Sequence, residues 1–296
     1  MAILIILLAA CLASTSNLFM RKSIDTGGST RAYLVFQLGL SLVVAIFLSP
    51  VRTGQYSFSG PAISMGLIGG AILGVMMWSL GKAMEKGPAG LTLASLNSAT
   101  VMPAIVMALA FKGSWASSYT LWHGIGSALV VVGLFWASWG IGGGVNKRQW
   151  ALFAGSAFLL HVLLLCLLHW RAMLIKGGTL LPESSQWFNP MIFVAATWMQ
   201  VVIYLRQEKR RPLPSEVIYG VLGGITNGGC TFFLIVAPEV ATPVQNAMIY
   251  PLFAVLVIVL SNLWSQALYR ERVNWAATAL CLGGVILGTV DWSAIG

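Results

Sequence analysis

Gly66-Leu67-Ile68-Gly69-Gly70-Ala71-Ile72-Leu73-Gly74 and Gly220-Val221-Leu222-Gly223-Gly224-Ile225-Thr226-Asn227-Gly228 share one spacing, G-x-x-G-G-x-x-x-G, 154 positions apart in a chain of 296 residues. Each string lies inside an apolar run long enough to cross a bilayer. Gly66, Gly70 and Gly74 recur every four residues, so one face of the helix carries no side chains. Such a face lets a neighbouring backbone approach closely, as small residues do between membrane helices. A pattern repeated at half-length points to an internal structural repeat.

The composition sets the class. The chain is 58% hydrophobic and 8% charged, with a mean hydropathy of +0.85; a soluble domain carries about 25% charged residues. This is the signature of an all-α, polytopic membrane protein. The net charge of +9 sits in short gaps between apolar runs, where orientation signals explain it better than nucleic-acid binding does. The four cysteines, Cys11, Cys166, Cys230 and Cys281, fall inside the apolar runs with neither metal-ligand spacing nor a disulfide framework.

With about 20 apolar residues per spanning helix, ten spans are expected. The first five are roughly 2–20, 32–49, 60–81, 88–111 and 119–141; the second five are roughly 150–170, 187–205, 215–237, 240–268 and 273–291. The polar turn 142–149 divides a first five-helix repeat (1–142) from a second (143–296). Leu8-Ala9-Ala10-Cys11 looks like a lipoprotein cleavage box, but no basic residue precedes it, whereas a signal peptide wants a basic start.

Basic residues are distributed unevenly among the gaps. Those after odd spans hold 13 (Arg21, Lys22, Arg31, Lys82, Lys86, Lys147, Arg148, Arg206, Lys209, Arg210, Arg211, Arg270, Arg272), and those after even spans hold 4 (Arg52, Lys112, Arg171, Lys176). The positive-inside rule then puts odd gaps in the cytoplasm and both termini outside a plasma (inner) membrane. An odd number of spans per half means that the second half enters the membrane inverted, and inverted repeats build their site at the midplane between the halves. Two further matches support the duplication: Asn97 and Pro103 in NSATVMP, and Asn246 and Pro251 in NAMIYP. Each proline removes a donor and frees a carbonyl one turn back.

On these features the chain resembles the drug/metabolite transporter superfamily, specifically its ten-helix EamA-like permeases. The resemblance spans essentially the whole sequence and rests on the two five-span halves, the glycine-rich spans and the prolines at 103 and 251. Arg270-Glu271-Arg272 before a glycine-rich last span is similar to the family's ending, while Phe111-Lys112-Gly113-Ser114-Trp115 lacks the matching glutamate. The resemblance implies a secondary transporter working by alternating access, with a cavity lined by spans 1, 3, 4, 6, 8 and 9. Members export amino acids and other metabolites; relatives exchange nucleotide sugars or phosphorylated sugars.

The chemistry available at membrane depth narrows the solute. All eight acids lie at span ends or in gaps, and a carboxylate in hydrocarbon would have signalled cation binding or a proton relay. Buried amides cost free energy unless paired, so each either joins helices or lines a wet cavity. The resemblance favours Asn17, Asn97, Thr100, His161, Asn227, Gln245, Asn246 and Tyr250 as lining residues over Gln37 and Gln200. Trp78 and Lys82 extend the stripe Gly70–Gly74 at four-residue steps. Lys82 either holds a carboxylate or phosphate beside the Trp78 indole or snorkels to the headgroups.

The leading expectation is export or exchange of a zwitterionic or anionic solute such as an amino acid. The alternative is a nucleotide-sugar or phosphorylated-metabolite exchanger. An enzyme is disfavoured because no acid is available at depth for metal or acid–base chemistry, and lipid scrambling stands behind transport. No cofactor, metal or nucleic acid is expected. Membrane lipids, a coupling proton or counter-solute, and a monomeric or homodimeric assembly complete the picture.

Overall fold

The structure, a computed structural model, describes residues 1–86, 92, 96–97, 99–110, 121–138, 147–270 and 274–289. Its helices are α1 (Ala2–Asp25), α2 (Thr30–Ile46), α3 (Gly60–Lys86), α4 (Met102–Ala110), α5 (Leu121–Ser138), α6 (Lys147–Lys176), α7 (Phe188–Gln207), α8 (Pro214–Val240), α9 (Pro243–Tyr269) and α10 (Trp275–Thr289). Among the described residues there is no strand, and seven helices are long and apolar enough to cross a membrane. The chain is an all-α, multi-pass membrane protein. The junction at 142–146, Glu271, Arg272, Asp291 and the side chain of Asn246 lie outside the described residues.

Local sequence sets the helix ends. The Ser29 hydroxyl accepts from Ala32 N–H at 3.1 Å and starts α2. Pro214 opens α8, where its missing N–H costs nothing. Pro50 cannot donate, and α2 continues into a wide π-type turn at Phe47–Val51 around it. Pro103 stands second in α4, which follows directly on a tight 3-10 turn at Ala99–Val101. Pro251 lies within α9.

The glycine stripes decide the packing. A methyl group on Gly70 would lie 2.2 Å from the Ile192 carbonyl oxygen, one on Gly66 2.6 Å from the Phe188 carbonyl oxygen, and one on Gly74 2.8 Å from the Met199 sulfur, all on α7. Gly69 meets Leu167 of α6. On the other stripe, Gly224 would meet the Gln37 carbonyl oxygen at 2.5 Å, and Gly220 and Gly228 face Phe36 and Val44 of α2. Gly229 meets Leu12 of α1.

Two packing units result: α3 with α6 and α7, and α8 with α1 and α2. Each glycine helix is therefore packed into helices from the other half of the sequence. Beyond the units, α2 runs beside α7, α9 lies against α1, α4 against α6, and α5 against α10. The last pair is matched too, since Gly133 abuts Cys281 and Ala277 while Gly284 abuts Gly126 and Leu129.

Buried amides and hydroxyls fasten these seams. Gln37 donates to Ser16 Oγ at 2.8 Å, and Ser16 donates to the Gly223 carbonyl at 3.2 Å. Ser41 donates to the Gly224 carbonyl at 3.0 Å. In the other unit Gln200, fully buried, donates to the Gly74 carbonyl at 2.8 Å. A glycine carbonyl is reachable here because no side chain covers it.

Candidate functional site

The residues expected to line a cavity fall into distinct settings. One group gathers along α6. Trp78 of α3 meets Phe153 edge-on, with ring centroids 5.6 Å apart. Further along α6, His161 Nδ1 lies 2.9 Å from the Leu96 carbonyl oxygen; an oxygen that can only accept fixes the proton on Nδ1. The Trp150 indole donates to Thr92 Oγ1 at 2.9 Å. Thr100, buried, donates to the Asn97 carbonyl at 2.7 Å, and Asn97 itself is half-buried. Thr92 and Leu96, ahead of Pro103, are thus tied to α6. The Trp78 indole N–H is buried with no partner among the described residues.

Tyr250 sits apart from this group. It is fully buried on α9, its ring 4.8 Å from that of His169 on α6, and its hydroxyl has no partner among the described residues. Asn17 is half-buried on α1, where Ser14 Oγ lies 3.3 Å from Ser261 Oγ of α9. Asn227 donates to Ser41 Oγ of α2 at 3.1 Å and so lies in a seam between helices. Gln245 caps α9: its side-chain oxygen accepts from Thr242 N–H at 3.2 Å, and its own N–H reaches Thr242 Oγ1 at 3.3 Å.

Lys82 belongs to an ion network. Its Nζ lies 3.0 Å from Glu85, which also takes Arg31 of α2 at 3.0 Å. Arg31 continues to Glu208 at 3.2 Å, and Glu208 and the fully buried Glu216 both take Arg210. Glu216 further accepts backbone N–H groups from Ser29 and Leu213, each at 2.5 Å. The Arg210 guanidinium is pushed up from its ordinary value, first by its hydrogen bond to Glu216; burial opposes this, and the charges on Glu216 and Glu208 add to it. This network joins the last turn of α3 to the first turn of α8, so these two helices run in opposite directions.

The opposite end of the molecule holds a second cluster. Arg171 of α6 is buried, donates to Glu239 in the last turn of α8 and to Ser185 Oγ at 2.9 Å, and stands 4.7 Å over the Phe188 ring. Lys176 donates to the Ala241 carbonyl at 2.9 Å. The acids of these pairs carry a signal in the sequence. Glu85 stands eleven residues after Gly74, and Glu239 eleven residues after Gly228, so each glutamate extends the duplicated motif.

Chemically, the α6-centred group offers neutral donors and acceptors: an unpartnered indole N–H, a half-buried amide and a carbonyl-bound imidazole. Among the described residues no group of His, Cys, Asp or Glu has the arrangement of a metal site. No protein-family model and no curated protein matches the chain. A solved structure described as "Crystal structure of protein" superposes with a TM-score of 0.71 at 16% identity, covering 99% of this chain and 96% of that one. At that identity the likeness shows the fold alone: the helical arrangement is one that a crystallised chain adopts nearly end to end.

Proposed function

We propose that the chain is a secondary transporter of the drug/metabolite transporter type, with ten spans in two inverted five-helix repeats at 1–142 and 143–296. It moves a zwitterionic or anionic solute, such as an amino acid, by alternating access. The observation that carries this reading is the matched exchange of glycine helices: α3 packs into α6 and α7 while α8 packs into α1 and α2. Two antiparallel copies interlocked in this way have the architecture around which halves rock about a central site.

Solute chemistry is read from the lining. Trp78 and Asn97 beside α6 present donors and acceptors without formal charge, which suits a solute whose own charges are balanced or singly negative. Lys82 is already paired with Glu85, which weakens the phosphorylated-solute alternative, since that solute wants free cations. The basic end, with Arg206, Lys209 and Arg211 exposed, faces the cytoplasm by the positive-inside rule.

A thermal-shift screen of the purified protein against amino acids, nucleotide sugars and sugar phosphates tests the assignment, because a bound solute raises the melting point by mass action. Stabilisation by an amino acid that is lost in Asn97→Ala is the expected result. Stabilisation by phosphorylated compounds alone, lost in Lys82→Ala, replaces it with the exchanger.

A further inference from the structure

We propose that Glu85 and Glu239 are paired latches, each holding one mouth of the transporter shut by bridging the two packing units at opposite ends. Both occupy the same place in the repeated motif, eleven residues beyond the last glycine, and each is the penultimate residue of its helix. An acid in the last turn opposes the helix dipole and weakens the helix that carries it. Two copies of the same unfavourable placement call for a use outside helix stability.

The partners supply that use. Glu85, on α3, takes Arg31 from α2; Glu239, on α8, takes Arg171 from α6. Since α3 is packed with α6 and α7, and α8 with α1 and α2, each ion pair crosses from one unit to the other. The two crossings run in opposite senses: in the first the acid belongs to the α3 unit, and in the second it belongs to the α8 unit. They lie at opposite ends because α3 and α8 are antiparallel.

Neighbouring contacts reinforce both crossings. At the Glu85 end Arg31 goes on to Glu208; at the Glu239 end Lys176 holds the Ala241 carbonyl. Within each unit the seam is glycine against backbone and cannot open without loss of packing. Between units α2 runs along α7, and the ion pairs lie at the rims, where water can replace them. Rocking of the units breaks one latch while keeping the other, which is what a bistable element needs. Both latches are made here, the arrangement in which both mouths are held. The inference rests on the transport reading above.

Distance measurement between spin labels tests it directly, in a background where the four native cysteines are replaced by alanine. One pair, Asp25→Cys and Lys86→Cys, spans the units at the Glu85 end; the other, Val51→Cys and Thr179→Cys, spans them at the Glu239 end. Glu85→Gln in a Glu208→Gln background, where Arg31 has no second acid, should lengthen the first distance by several ångström and leave the second unchanged; Glu239→Gln should do the reverse. The unchanged pair serves as the folding control. The charge swap Arg171→Glu with Glu239→Arg should return the second distance to its starting value.

Widening at both ends, at neither, or at the wrong end overturns the latches, as does a swap that stays open. Solute stabilisation is scored separately. A chain that no solute stabilises, yet whose ends open one at a time, loses the transport assignment and keeps the latches. A chain that binds solute but whose ends do not respond loses the latches alone.

Discussion

The two ends of the molecule are closed by different chemistry around the same packing. At the Glu85 end charges run in an unbroken chain from Lys82 through Glu85, Arg31, Glu208 and Arg210 to Glu216. At the Glu239 end one ion pair, Arg171–Glu239, stands beside a stack of Phe58 on Trp187 with ring centroids 4.8 Å apart. The turns Gly27-Gly28 and Gly177-Gly178 occupy corresponding places at the two ends, with Gly27 and Gly178 both in the left-handed region. Glu216 packs against the first turn at Gly28. The glycine seams are matched, and so are the glutamates that extend the two motifs, while the groups around those glutamates differ from one end to the other.

The sharpest break of this comparison lies in two arginines. In Arg171→Ala, Glu239, 23% exposed, loses its guanidinium and keeps only the nearby charge of Lys176, a loss of about 1–3 kcal/mol. Arg31→Ala should cost less, about 1 kcal/mol or below, because Lys82 remains on Glu85 and Arg210 remains on Glu208. Melting curves of the two variants in detergent should rank Arg171→Ala below Arg31→Ala. Equal losses would mean that the Glu85 end is no more redundant than its opposite.

A comparable effect sharpens the matched side. Gly70→Ala and Gly224→Ala each put a methyl group within 2.5 Å of a carbonyl oxygen, whereas Gly283→Ala meets nothing within 4 Å. Overpacking a tight seam costs about 1–3 kcal/mol. Both seam variants should therefore melt lower by similar amounts, with Gly283→Ala unchanged. A loss at one seam alone would show that the two glycine faces are not equivalent.

Much of this was legible in the sequence, for identifiable reasons. The four-residue recurrence of glycine reports a bare helix face directly, and hydropathy reports the long apolar helices. Which helix fills each bare face was not legible: periodicity gives a direction from one axis, and the partner lies more than a hundred residues away. Gln245 also carries a local signal. Thr242 three positions ahead of it and Pro243 between them form a helix start, so its amide has a capping role within the chain. The pairing of Arg171 with Glu239 needed three-dimensional proximity, although the eleven-residue offset shared with Glu85 stood in the sequence throughout.

The smallest effect concerns the glue at the seams. Gln37 and Gln200 are both buried and both donate to a group on a neighbouring helix, but their acceptors differ. Gln200 bonds the Gly74 carbonyl, a backbone oxygen that keeps its helical hydrogen bond when the amide is removed. Gln37 bonds Ser16 Oγ, which in turn donates to Gly223, so its loss disturbs a chain of two bonds. A single hydrogen bond is worth about 0.5–1.5 kcal/mol net. Gln200→Leu should lie at the lower end of that range and Gln37→Leu at the upper end. The double variant Gln37→Leu/Ser16→Ala should cost less than the sum of its parts, because the two side chains share one bond. Strict additivity in that cycle would show that Ser16 holds Gly223 independently of Gln37, and the two seams would then be fastened alike.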